Sequence, residues 1–211
     1  DYFEKNDELT RALVRALVRN VDIEKVIYYL NQITEKKTSS IDALASYIYY
    51  QSFIYNWDQK KFLEHSKILD QKLISYPNDK IVEISGSDRK KINIGFHSAD
   101  IRSKHSVTHF LKTVLVNYDR NKFSISIYDG NKPDKEDSTM KDFKQYVDKM
   151  TNIRNIDDIG VINLVRKDKI DILIDLMGLT SNHRLSLYKN RLAPIQITWC
   201  GFQNTTGIKE M

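Results

Sequence analysis

The period of apolar residues along this chain changes near residue 86. Before that point they recur every three to four positions and glycine is absent. Leu9, Leu13, Ala16 and Leu17 share one helical face. Val26, Ile27, Leu30 and Ile33 share a second, after a polar break at Asn20. Two short amphipathic helices are predicted. A polar gap at 36–40 precedes a third helix over roughly residues 41–55. Asp58 can cap a fourth, with Phe62, Leu69 and Leu73 inward and Pro77 ending it. Tyr47, Tyr49, Tyr50 and Tyr55 read either as a stacking surface or as amphipathic core filler, and their helical spacing favours filler.

Gly86, Ser87 and Asp88 mark a turn, and from there short β-rich runs alternate with helical ones. Strands are expected near 92–96, 123–128, 152–156, 170–176 and 195–199. Helices are expected over 106–117, 140–149, 157–167 and 184–189, and 130–138 reads as a polar, mobile loop. Strands separated by helices predict a parallel, doubly wound α/β sheet with right-handed crossovers. The organisation expected is an α-helical segment over 1–85 followed by an α/β unit over 86–211.

The 211 residues include 41% hydrophobic ones, enough for a true core. The formal net charge of +5 is spread along the chain, a mild bias toward phosphate-bearing ligands. Lysines alternate with acids and form no basic groove, so no nucleic-acid partner is expected. Cys200 is the single cysteine and cannot form an internal disulfide. No N-terminal apolar run resembles a signal peptide or membrane span, so a cytoplasmic, reducing setting and no membrane partner are expected. The chain starts at Asp1 and stops at Met211 just after a loop, which reads as an excerpt from a longer protein.

Candidate chemistry concentrates where strands end, because parallel sheets bind ligands beyond their carboxyl ends. The first strand runs into a loop holding His97, Asp100, Arg102, Lys104, His105 and His109. A helix starting near Ser106 would point free N–H groups at the same cleft, which favours an anion. Neither a G-x-G-x-x-G nor a P-loop pattern is present. His105 and His109 stand four apart and could share a helical face as a metal pair, yet position 106 is serine and no further ligand cluster follows, so no metal is expected. The alternative makes His109 a packing residue, and Asp100 could merely cap a turn. After the fourth strand, Gly178 permits a tight turn and Thr180 can hydrogen-bond. After the fifth comes a small polar loop with Cys200, Gly201, Thr205 and Gly207, suited to a sugar or phosphate and equally to an ordinary βα turn.

Three blocks, INIGFHSADIRSKHSVTHF, DILIDLMGLTSNHR and APIQITWCGFQNTTG, resemble the O-GlcNAc transferase family with its SPINDLY-like and bacterial members. Their order and spacing match the N-terminal, Rossmann-like lobe of that two-lobed glycosyltransferase region, and the last block is the most specific. The helical stretch SYIYYQSFIYNWDQKKFLEHSKILDQKL is similar to the helix pair preceding the lobe, so the resemblance covers about 41–211. The first forty residues look like helical-repeat remnants.

The resemblance implies an inverting transferase that moves N-acetylglucosamine from its UDP form to serine or threonine of an acceptor protein, without a metal or other cofactor. A related branch glucosylates asparagine, so the acceptor stays open. By position, His105 matches the family's active-site histidine, Asp100 the aspartate before it, Thr180 the threonine of the G-x-T turn, and Gly201 the glycine beside the donor sugar. Gly178, Cys200, Thr205 and His109 join these as substrate-binding candidates. Gln203 and Asn204 replace the family's proline–glycine pair, and Ser106 stands where animal members have proline. The family's nucleotide sits mainly on a C-terminal lobe expected beyond Met211, so an isolated fragment is expected to be inactive. The rival reading, a flavodoxin-like or receiver-like interaction module, would need an acidic cluster at the first strand end, where Asp100 has no second acid beside it.

Overall fold

The computed structural model describes residues 7–35, 39–55, 58–76, 90–132 and 138–211. It separates into two units, one of Asp1–Leu73 with Leu179–Ser181 and one of Ile74–Gly178 with Asn182–Met211. Pro77 and the Gly86–Asp88 turn lie outside the described residues, as does most of the loop at 130–138.

The first unit contains α1 (Asp7–Arg19), α2 (Ile23–Thr34), α3 (Ile41–Gln51) and α4 (Gln59–Lys72). Side-chain acceptors start three of them: Asp22 takes the Lys25 amide, Ser40 the Ala43 amide, and Asp58 those of Lys60 and Lys61. Val26, Leu30, Ile33, Leu44, Ile48, Phe62 and Leu69 form the core. On α1 the inward position is Val14, while Leu13 and Leu17 are half-buried, Ala16 is exposed, and the Leu9 side chain lies outside the described set. Helix α3 stops four residues short of the expected Tyr55. The Ser52 and Phe53 amides bond three residues back to Tyr49 and Tyr50 carbonyls, tightening the last turn. Tyr47 is core filler as expected, whereas Tyr55 is fully exposed.

The second unit is the doubly wound α/β sheet the periodicity predicts. It runs β1 (Ile92–Ser98), α5 (Ser106–Asn117), β2 (Phe123–Asp129), α6 (Ser138–Lys144), β3 (Lys149–Asn152), α7 (Asp158–Lys167), β4 (Ile172–Asp175), α8 (Leu185–Lys189) and β5 (Ile195–Thr198). All pairings are parallel, in the order β3-β2-β1-β4-β5. Strand β3 lies earlier than expected, because the Asp148 amide bonds to Ile125 O and draws the chain into the sheet. Helix α6 therefore ends at Lys144, and 153–156 closes as a turn with the Ile156 amide on Ile153 O.

Alternation along the strands builds two faces. Phe96, Ile125 and Ile127 pack with Val107, Leu111 and Leu115 of α5 and with Phe143. On the opposite face Gly95 leaves room for Tyr128 and Leu173 from the flanking strands; a Cβ there would stand 3.0 Å from the Tyr128 ring. The carboxyl ends of β1, β4 and β5 thus lie side by side.

Candidate functional site

Three loops meet at that edge, and the contacts that knit them are within the α/β unit. The Ala99 amide approaches Met177 Sδ at 3.1 Å, joining the loop after β1 to that after β4. Gly178 has a left-handed φ of 56° and lies against Phe202, whose Cβ would be 2.3 Å from an added methyl. Gly201 lies on the Leu176 carbonyl, which a Cβ would approach to 1.9 Å. Both glycines therefore answer a packing need at the junction of the β4 and β5 loops.

Asp100 is buried two residues past β1, its amide donating to Ser98 Oγ at 2.9 Å. Its carboxylate faces two cations or potential cations, Arg102 Nη2 at 3.2 Å and His105 Nε2 at 3.7 Å. His105 is the N-cap of α5 and makes no side-chain capping bond. The loop is braced from within the helix: Thr108 Oγ1 accepts from the Arg102 amide at 3.0 Å and donates to the Arg102 carbonyl at 2.8 Å. The His105 ring presents one nitrogen toward Asp100, and its buried Nδ1 has no partner among the described residues. A half-exposed imidazole held beside a carboxylate can accept or orient a proton, and the uncapped first turn of α5 favours negative charge nearby.

The other predicted residues distribute as follows. His109 is exposed on α5, so it is not a packing residue. Cys200 is half-buried with a left-handed φ of 68°, and burial pushes its thiol above the ordinary range. Thr205 is exposed, its hydroxyl accepting from the Gly207 amide at 3.1 Å. Thr180 belongs to Leu179–Ser181, which falls with the helical unit. Among the described residues no group of three or more His, Cys, Asp or Glu could hold a metal ion. None of the described helices is long and apolar enough to cross a membrane.

His97, read from sequence as part of the loop, lies inside β1 and is buried. Its Nδ1 is 2.7 Å from the Tyr188 hydroxyl of α8, which donates to Asp175 Oδ1 at 3.3 Å. Burial and the nearby Arg184 charge hold the imidazole down to about 3. Burial pushes the Asp175 carboxyl up to about 6, against the bonds it accepts from Gly178, Met177, Tyr188 and Thr198. Sequence reasoning named His97 and missed its partners Tyr188 and Asp175. The available signal was a polar residue at the end of each of three apolar strands.

The family model Glycosyl transferase family 41 matches residues 29–211. The chain is 35% identical over 153 residues to a rice protein described as a probable UDP-N-acetylglucosamine–peptide N-acetylglucosaminyltransferase SPINDLY, covering 71% of this chain and 15% of that protein. It is 37% identical over 123 residues to the Arabidopsis thaliana protein of the same description, covering 56% and 13%. A Thermobaculum terrenum O-GlcNAc transferase mutant of known structure superposes with a TM-score of 0.81 at 24% identity, over 94% of this chain and 38% of that one. That likeness bears on the fold. The matched stretches span under a sixth of the length of these curated relatives.

Proposed function

Since the chain belongs to glycosyl transferase family 41, we propose that it forms the acceptor-side part of an enzyme transferring N-acetylglucosamine from UDP-N-acetylglucosamine to protein serine or threonine. The observation that carries this reading is the pairing of His105 with Asp100 at the carboxyl edge of the sheet, beside the packed Gly178 and Gly201 loops. Asp100 lies 3.7 Å from His105 Nε2, where its charge favours an imidazole that orients the acceptor hydroxyl or takes up its proton at Nε2 as the anomeric carbon is attacked. Gly178, Cys200, Gly201, Thr205 and His109 are proposed to line the sugar and acceptor. The reaction needs no metal in this scheme, because positive groups and helix amides neutralise the departing diphosphate. The enzyme acts in the cytoplasm on protein acceptors, without nucleic-acid or membrane partners.

The chain divides functionally, in this proposal, into a helical segment over 1–85 and a Rossmann-like lobe over 86–211, with the nucleotide held mainly by a further lobe. The test is His105→Ala in the full-length parent protein, assayed for sugar transfer to a peptide. Loss of positioned acid–base assistance lowers kcat by about 100-fold or more. Unchanged turnover removes His105 from the site.

A further inference from the structure

On the face of the sheet covered by α8, beneath these loops, a second constellation takes no direct part in the proposed chemistry. His97 pairs in register with Asp175, and Asp175 with Thr198, so the three form one row across β1, β4 and β5. Tyr188 closes over the row. His97 Nδ1 and Asp175 Oδ1 are 3.9 Å apart, too far for a hydrogen bond, and the phenol bridges them at 2.7 and 3.3 Å. The same carboxylate accepts from the Met177 amide at 3.1 Å, the Gly178 amide at 2.7 Å and Thr198 Oγ1 at 3.3 Å. One buried group therefore holds the turn after β4 and communicates with β1.

The phenol has one proton to give. When Tyr188 donates to an ionised Asp175, the short contact to His97 requires the imidazole to donate, which puts its proton on Nδ1. When Asp175 is protonated, it can donate to the phenol oxygen. Tyr188 then donates to His97 Nδ1, and the imidazole exchanges its Nδ1 proton for one on Nε2. The net change is the single proton gained by Asp175.

We infer that His97, Tyr188 and Asp175 form a proton-coupled positioning relay, in which protonation at Asp175 switches the His97 tautomer through Tyr188 and loosens the hold on the Met177–Gly178 turn. The relay's importance for sugar transfer rests on the transferase reading above. These are positioning residues, acting through the Gly178 turn and the Ser98–Asp100 segment. The titratable and charged groups facing Asp175 and its partners are His97 from β1, Tyr188 from α8, and Arg184 at the N-cap of α8. The Arg184 charge bears on His97 and Tyr188 while its guanidinium is held by Asp158 of α7. His97 is neutral above about 3, so its two tautomers are both available where Asp175 titrates.

The experiment is nitrogen NMR of the 211-residue protein carrying isotope-labelled histidine and glycine, titrated over about pH 5 to 8. The expected result is a His97 ring protonated on Nδ1 at high pH and on Nε2 at low pH. The exchange has its midpoint at about 6, followed by the Gly178 amide. Tyr188→Phe abolishes the exchange while leaving the rest of the spectrum folded; should that variant not fold, the titration of the unaltered protein decides. A single His97 tautomer throughout, or an exchange that survives Tyr188→Phe, overturns the relay. The readout involves no sugar transfer, so an inactive or active His105 variant bears on the transferase reading alone.

Discussion

His97 and Asp175 pull the pH dependence of stability in opposite directions. Asp175 rises from 3.8 to about 6 on folding, so its stabilising contribution is full below 3.8 and lost as pH rises through 6. His97 falls from 6.5 to about 3, so its contribution is full above 6.5 and lost as pH falls toward 3. Between 3.8 and 6 the two slopes, each about 1.4 kcal/mol per pH unit, offset one another. In His97→Gln the Asp175 slope stands alone. Relative to the unaltered protein, the variant gains stability by about 1.4 kcal/mol per unit as pH falls from 6 toward 4, measured by urea unfolding at a series of pH values. At single positions, motif matching found His105 and Asp100 because they sit in a distinctive loop. It passed over Tyr188 and Asp175 because each looks like an ordinary strand or helix residue until register and helix packing bring them together.

Elements with strong local signals were the legible ones. Helix α5 occupies Ser106–Asn117 as the periodicity predicts, and α7 begins one residue after its Asp157 N-cap, whose carboxylate accepts from the Gly160 amide. Strand β3 drifted because its position depends on pairing with the carboxyl half of β2, a constraint local pattern does not carry. The sheet also weights its apolar residues unequally. Ile127 is wholly buried between strands and α5, whereas Ile197 on edge strand β5 is 41% exposed in an open row with Ile195 and Trp199. Ile127→Ala costs about 2–5 kcal/mol through lost transfer energy and a cavity. Ile197→Ala costs under about 1.5 kcal/mol, and chemical denaturation of the two variants reads the difference.

Taken whole, the chain belongs to a family in which the stretch it shares with the rice relative covers 15% of that protein. At the sheet edge Arg102 is already paired with Asp100, which draws its charge away from a nucleotide diphosphate. Calorimetry of the 211 residues with UDP is expected to give no measurable heat at micromolar concentration; a micromolar dissociation constant would contradict the placing of the nucleotide on a further lobe. Alternating apolar runs, caps and three contiguous blocks were enough to establish a parallel α/β sheet, its family and the loop with Asp100 and His105. Those signals are local, each written within some twenty neighbouring residues. The His97–Tyr188–Asp175 relay and the seating of Gly201 on Leu176 came from register and packing, since their members are up to 91 residues apart and meet only when β1, β4 and α8 are laid together.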